Sequence, residues 1–140
     1  MKATRFNTGW TCRHLGSSAP GTPVTLPHDA MLAEERSQTS AGGTNTGWFA
    51  GYDYLYEKHF TPDAAQAAQC AVLEFEGVYH NAEVHLNGEK IASCPYGYSD
   101  FYADLTGKLL PGRDNVLEVI AHNADQPNSR WYSGAGIYRP

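Results

Sequence analysis

Asn87 and Gly88 form the most constraining feature of the sequence, because they directly follow a run of alternating residues. Residues 82–86 alternate between apolar and polar side chains up to this pair. An Asn-Gly connection favours a type I′ turn, in which both central residues have positive φ. Residues 82–93 are therefore predicted to form a β-hairpin. Its apolar positions must face the core together, since a slip of one residue would expose all of them.

The same period of two recurs along most of the chain. It predicts further strands at residues 54–60, 71–76 and 115–123, with turn residues between them. Residues 24–26 are predicted to form an edge strand, because they lie between two prolines and proline cannot donate to a strand ladder. Residues 1–21 are expected to be irregular.

No segment has the length of a crossover helix. Residues 64–69 are rich in alanine, but so short a segment is predicted to be a loop with one helical turn. Many short strands separated by turns are typical of an antiparallel β-sandwich. We therefore predict an all-β fold that occupies residues 1–140 as a single domain.

Composition narrows the classes of function. The net charge is −5 and no basic patch is visible, which argues against nucleic-acid binding. No apolar run approaches the length of a membrane span, so no membrane partner is expected. Residues 1–6 lack the apolar region of a secretory signal, which predicts a cytoplasmic protein. Three cysteines and six scattered histidines share no metal-like spacing, so we expect reduced thiols, no metal site and no cofactor.

Residues 128–139 concentrate the chemistry of recognition in one short segment. Arg130 and Arg139 carry planar guanidinium groups that donate to hydroxyls and carboxylates. Trp131 and Tyr132 present flat faces that can stack on a sugar ring. Such a density of functional groups predicts a binding loop rather than a packed segment.

Residues 127–139 (PNSRWYSGAGIYR) resemble the signature that closes the N-terminal domain of family-2 glycoside hydrolases. The segment is most similar to the β-galactosidase branch, with β-glucuronidases more distant. Residues 26–30 (LPHDA), 56–60 (YEKHF) and 75–88 match the same family in the same order. The resemblance implies a jelly roll of the galactose-binding-domain-like type, in which residues 96–105 cross to the second sheet.

The resemblance also implies that the catalytic groups lie outside this sequence. A retaining glycosidase needs two carboxyl groups roughly 5 Å apart. No such pair stands out among the fifteen acidic residues, and the family carries its catalytic glutamates on a downstream (β/α)8 barrel. The implied protein is a longer enzyme, and this fragment would be inactive alone. Its partners would be a β-galactoside and the barrel of the same chain, while assembly into a homo-oligomer stays open.

In the family, the loop before the Gly-Ile-aromatic-Arg motif lines the sugar subsite. By this resemblance Asn128, Arg130 and Trp131 are expected to contact substrate, and no catalytic residue is expected. Several members carry an aspartate where this sequence has Arg130, so the role of that aspartate does not transfer. Asp29 is a fourth candidate for a sugar contact, and the alternative is that it accepts backbone N–H bonds in a turn. Arg139 is expected to form a structural salt bridge.

Three other functions remain compatible with the sequence. A free-standing carbohydrate-binding module would bind sugar through the same aromatic side chains. A parent enzyme of the β-glucuronidase or β-mannosidase type would share the domain but act on another sugar. A domain that only supports assembly would make no sugar contact.

Overall fold

The computed structural model describes residues 2–140. Within them lie eight strands, one short helix and two 3₁₀ turns. In chain order the strands are β1 (Trp10–His14), β2 (Thr22–Val24), β3 (Tyr54–Phe60), β4 (Val72–Phe75), β5 (Ala82–Leu86), β6 (Glu89–Cys94), β7 (Phe101–Asp104) and β8 (Asn115–Ala121), and helix α1 spans Ala64–Ala68. The 3₁₀ turns are Ala30–Ala33 and Gly43–Thr46. None of the helices in residues 2–140 has the length and apolar character that crossing a membrane requires.

Every strand pairing is antiparallel. Six strands form one sheet in the order β2-β1-β3-β8-β5-β6, while β4 and β7 form a second, two-stranded sheet. The chain passes from the first sheet to the second between β6 and β7, as expected for residues 96–105. The predicted antiparallel β-sandwich is therefore confirmed.

The core lies between the two sheets and follows the predicted alternation. Val84, Leu117 and Val119 are fully buried on the inner face of the large sheet. Phe75 and Ala103 face them from the small sheet and belong to the same buried cluster. Full burial of a side chain of this size stabilises the fold by about 1.5–3 kcal/mol. The alternation of β5 and β8 thus fixes which face of each strand points inward.

The hairpin between β5 and β6 has the predicted turn. Asn87 has φ +49° and Gly88 has φ +85°, the two positive values that a type I′ connection needs. The Asn87 side chain also donates to Asn115 Oδ1 at 3.0 Å and accepts from the Val116 N–H at 2.9 Å. The turn is therefore attached to the start of β8 as well as to its own strands.

Two predictions differ from the structure, and a third agrees with it. Residues 1–21 are not irregular throughout, because β1 pairs with β2 on one side and with β3 on the other. The edge strand includes Pro23 and ends at Val24, two residues before the predicted end. Residues 64–68 form the predicted single helical turn, which Asp63 and Gln66 cap reciprocally.

Candidate functional site

The exposed loop 127–133 leads into a rigid segment, residues 134–137. On one side, the backbone of this segment accepts two hydrogen bonds of 2.9 Å from residues 28–30. On the other side, it exchanges two hydrogen bonds with Tyr79, at 2.9 and 3.0 Å. The loop therefore ends on a part of the chain that is held from both sides.

Glycines are required at two positions of this rigid segment. Gly134 has φ +68° and Gly136 has φ +106°, conformations that other residues rarely adopt. A Cβ atom on Gly134 would lie 2.6 Å from Asp29 Oδ2, and one on Gly136 would overlap the hydroxyl of Tyr56. Their small size thus allows the segment to approach both side chains closely.

Asp29 holds the loop with both of its carboxylate oxygens. Oδ1 accepts from the backbone N–H groups of Met31 and Ala135, each at 3.0 Å. Oδ2 accepts from the hydroxyl of Tyr132 at 2.6 Å. Burial, followed by the hydrogen bond with Asp29, raises the pKa of Tyr132, which therefore stays a protonated donor at neutral pH. Asp29 therefore accepts backbone N–H bonds in a turn, which was one of its two predicted roles. The other role, a contact with the sugar, stays a prediction.

Asn128 is half-buried, and both ends of its amide have protein partners. Nδ2 donates to Asn123 Oδ1 at 2.9 Å and to the carbonyl of Asp125 at 3.0 Å. Oδ1 accepts from the hydroxyl of Tyr79 at 2.9 Å. These bonds fix the start of the loop, and the sugar contact of Asn128 also stays a prediction.

Arg130 and Trp131 lie on the open surface of the loop. Trp131 is 63% exposed, and its indole N–H donates to the hydroxyl of Tyr98 at 3.3 Å. Arg130 is exposed beside it. The pair thus presents an aromatic face and several N–H donors to solvent, which is the chemistry that a sugar ring with its hydroxyls requires.

Two tyrosines extend this surface, and we call Tyr96, Tyr98 and Trp131 the aromatic rim. Tyr96 is 60% exposed and Tyr98 is 42% exposed, with 5.7 Å between their ring centroids. The hydroxyl of Tyr98 is hydrogen-bonded to Ser133 Oγ at 2.7 Å. The sequence carried a signal for these tyrosines in the aromatic-rich residues 96–105, but the segment was interpreted only as a crossing between sheets.

Asn123 is a second residue that sequence reasoning missed. It is fully buried, and its Oδ1 accepts from Gln126 at 3.0 Å and from Asn128 at 2.9 Å. Its Nδ2 lies 3.8 Å from the sulfur of Met31. A buried amide with partners at both ends organises a loop more strongly than a surface amide does. Nothing in the local sequence distinguishes it from an ordinary residue at the end of a strand.

His28 and Tyr56 form a polar pair beneath the rigid segment. Their Nδ1 and hydroxyl groups are 2.7 Å apart. Burial lowers the pKa of His28, although the charge of Asp29 opposes this effect. The imidazole is therefore neutral near pH 7, and the hydrogen bond to Tyr56 fixes its orientation.

The end of the segment packs rather than binds. Ile137 is fully buried and belongs to the core cluster. The salt bridge expected for Arg139 is absent from the ion pairs of residues 2–140, and its guanidinium instead lies 5.6 Å from the ring centroid of the adjacent Tyr138. Cation–π contact of this kind is compatible with an exposed arginine.

In the described part of the chain, no group of three or more His, Cys, Asp or Glu side chains is arranged to hold a metal ion.

The comparisons with known proteins agree with one another. The family profile described as "Glycosyl hydrolase 2 galactose-binding domain-like" matches residues 10–134. A protein named Beta-galactosidase BoGH2A from Bacteroides ovatus is 43% identical over 96% of this chain. A protein named Putative beta-glucuronidase from Formosa agariphila is 32% identical over 84% of it. The crystal structure of a glycosyl hydrolase family 2 member from Bacteroides cellulosilyticus superposes with a TM-score of 0.87 at 30% identity, over 97% of this chain.

The chain matches only a small part of each of these proteins. It spans 17% of the Bacteroides ovatus protein, 11% of the Formosa agariphila protein and 19% of the crystallised chain. The superposition confirms the fold of the galactose-binding-domain-like type that the resemblance implied. With its profile match over residues 10–134, the chain belongs to glycoside hydrolase family 2, as a galactose-binding domain-like domain of that family.

Proposed function

We propose that this domain forms the rim of the sugar subsite in a longer glycosidase that acts on terminal β-galactosides. In this proposal the catalytic carboxylates belong to a barrel of the same protein, outside residues 1–140. The observation that carries the proposal is the exposure of Arg130 and Trp131 on a loop whose base is rigid. An exposed pair of this chemistry has no packing role to explain it.

The aromatic rim supports binding rather than assembly alone. Hydrogen bonds link Trp131 to Tyr98 and Tyr98 to Ser133, and both aromatic side chains still remain open to solvent. A preorganised surface loses little side-chain entropy when a ligand binds. Direct contact with the sugar is assigned to Arg130 and Trp131, while Asp29 and Asn128 hold the loop in place and are candidates for further contacts.

The choice of sugar rests on the relatives. The relative with 43% identity is named a beta-galactosidase, and that with 32% identity a putative beta-glucuronidase. A galactoside is therefore the proposed substrate, and a glucuronide is the alternative that the experiment must include.

Titration of the 140-residue chain tests whether the domain binds sugar by itself. The indole N–H signals of the three tryptophans are followed in ¹H–¹⁵N spectra while galactose, lactose or methyl β-glucuronide is added. Trp10 is 2% exposed and serves as the internal reference. Saturation of the Trp131 signal with a Kd on the order of 1 mM would favour a free-standing binding module. If the rim binds sugar only together with the catalytic barrel, the Trp131 signal is expected not to shift.

Kinetics of the longer enzyme test the rim directly. Arg130→Ala is expected to lower kcat/KM by about 10- to 100-fold, because one or two charged hydrogen bonds to the sugar are lost. Arg113→Ala is the matched control, since it removes the same charge from an exposed turn in another part of the fold. Equal kcat/KM values for Arg130→Ala and the wild type would overturn the proposal and leave a purely structural domain.

A further inference from the structure

A concave surface lies in the segment between the 3₁₀ turn Ala30–Ala33 and β3. It is an open hollow of about 560 Å³, lined by Arg36, Ser37, Gln38 and Trp48. Its two sides are joined by backbone contacts. Arg36 forms an antiparallel bridge with Phe49, and the Ser37 N–H donates to the Trp48 carbonyl at 2.8 Å. The hollow is therefore built into the loop.

Trp48 occupies a backbone conformation that large side chains rarely adopt. Its φ is +68°, in the left-handed region. Its N–H donates to the Gly43 carbonyl at 2.8 Å, and its own carbonyl accepts from Ser37, so hydrogen bonds on both sides hold it there. Residues kept in such conformations by their surroundings cluster at ligand sites. Trp48 is half-buried and lines the open hollow together with Arg36.

Arg36 is fixed on one side of its guanidinium and free on the other. Its Nε donates to the Gly47 carbonyl at 2.8 Å, and the guanidinium carbon lies 5.4 Å from the ring centroid of Phe49. Among the ion pairs of residues 2–140, none involves Arg36. An oriented, exposed and unpaired guanidinium is suited to bind a carboxylate or sulfate through two parallel hydrogen bonds.

We propose that this hollow binds an anionic saccharide unit. The sugar ring would stack on Trp48, its carboxylate or sulfate would pair with Arg36, and the Gln38 amide would bind a hydroxyl. The inference rests on the proposed function only in taking the ligand to be a saccharide. It adds a second site beside the loop. The Phe49 ring contacts both, since its centroid lies 5.4 Å from the Arg36 guanidinium carbon and 6.0 Å from the Tyr132 ring centroid.

The test uses the 140-residue chain and the three tryptophan indole signals. Methyl β-glucuronide supplies a carboxylate, galactose 6-sulfate supplies a sulfate, and galactose is the neutral comparison. At least one anionic sugar is expected to shift the Trp48 signal with a Kd on the order of 1 mM, and galactose is expected to bind at least about 10-fold more weakly. The sugar that binds identifies the anion. Inorganic sulfate is titrated in parallel, and an affinity equal to that of the sugars would overturn a saccharide site.

Variants of Arg36 separate charge from geometry. Arg36→Gln is expected to weaken binding of the anionic sugar by about 10-fold or more, and Arg36→Lys by less, because lysine keeps the charge but loses the planar fork. Arg113→Gln removes an exposed charge elsewhere and should leave the affinity unchanged. Unchanged dispersion of the other amide signals shows that each variant is folded. If Arg36→Gln does not fold, the affinity of Arg36→Lys is the test.

The result for the second site can be told apart from the result for the proposed function, because the two use different readouts. A Trp48 signal that neither anionic sugar shifts, or an Arg36→Gln variant that binds like the wild type, overturns the second site whatever Trp131 does. The rim proposal depends instead on the kinetics of Arg130→Ala. Failure of either proposal therefore leaves the other to be judged on its own readout.

Discussion

Asp29 attaches the loop to a distant part of the chain, through hydrogen bonds from Tyr132 and Ala135. Asp29→Ala removes acceptors from two backbone N–H groups and one hydroxyl, so we expect the free energy of unfolding to fall by about 2–4 kcal/mol. Asp29→Asn keeps an acceptor oxygen and should lose less than half of that. Urea unfolding measures both. Asp63→Ala, which removes the cap of the exposed helix α1, is the control and should cost about 1 kcal/mol.

An Asp29→Ala variant no less stable than Asp63→Ala would contradict this assignment. The comparison is informative because both aspartates cap a helical turn. Only Asp29 also bonds to residues 132 and 135, which are 103 and 106 positions away in the chain. The difference between the two variants therefore measures the attachment of the loop rather than the local cap.

Gly136 permits a second prediction at the scale of one residue. Gly136→Ala combines an unfavourable φ of +106° with overlap between the new Cβ atom and Tyr56, so a loss of about 3 kcal/mol or more is expected. Gly112→Ala is the matched control, because Gly112 has φ +67° but nothing within 4 Å of its Cβ position. It should cost only about 1 kcal/mol. Thermal or urea unfolding that gives equal losses would show that Gly136 is not required for close packing.

The sequence predicted the turn role of Asp29 as one of two alternatives but could not predict its partners. A turn is local, so residues 28–31 already contain the information for it. The bonds to Tyr132 and Ala135 depend on how two distant segments meet in the fold. The same reason explains why Tyr98 and the buried Asn123 were missed, whereas exposed Arg130 and Trp131 were noticed from composition alone.

At the scale of elements, the strands with the strongest alternation were predicted and the weaker ones were not. Residues 82–88 and 115–121 carry both an apolar face and a clear turn, so their local pattern is sufficient. Strand β1 has only Trp10 and Cys12 on its inner face, and it pairs with residues of β3 that lie 40 to 48 positions further along the chain. Long-range pairing of this kind supplies structure that a window of local sequence does not contain.

Strands β5, β6 and β8 are linked on their outer face by a charged network around His122. Its ring lies between Glu83 Oε2 at 2.6 Å and Asp53 Oδ2 at 3.1 Å, and Lys90 pairs with Glu83 at 2.9 Å. Burial opposes protonation of His122, but the hydrogen bonds with Glu83 and then Asp53 outweigh it and raise the pKa above its ordinary 6.5. Hydrogen bonds from His122 and then Lys90 lower the pKa of Glu83 to about 2.

The two shifts define a pH window for the stability that this network contributes. The part due to His122 is complete below pH 6.5 and is lost as pH rises through the raised pKa. The part due to Glu83 is present above pH 4.5 and is lost as pH falls towards 2. His122→Gln should therefore destabilise the domain most between these values, by no more than about 1 kcal/mol, since the groups are partly exposed.

A double-mutant cycle measures this coupling. Unfolding of His122→Gln, Glu83→Gln and the double variant is compared at about pH 5.5 and about pH 9, on either side of the histidine transition. The coupling energy between His122 and Glu83 should be favourable at the lower pH and smaller at the higher one. A coupling energy that is the same at both values would rule out a protonated His122 as its source.

At the scale of the whole molecule, one buried cluster joins both sheets to the loop. It includes Phe75 and Ala103 of the small sheet, Val84 and Val119 of the large one, and Ile137 of the rigid segment. The loop therefore extends directly from the core, and the core fixes its position relative to the sheets. A surface positioned in this way can present binding groups to another part of a protein without changing its own fold.

The position of the acidic groups leads to the last prediction. Hydrolysis of a glycoside with retention requires two carboxyl groups on either side of one bond, roughly 5 Å apart. Beside the loop, Asp29 has both oxygens bonded to protein donors, and on the outer face Glu83 and Asp53 are bonded to His122. The contacts of these three carboxylates are therefore those of structural groups. The purified 140-residue chain is expected to release no nitrophenol from a nitrophenyl β-galactoside, with the proposed longer enzyme as the positive control. Turnover that co-purifies with the chain and disappears in Asp29→Asn would show that a catalytic carboxylate lies within this domain after all.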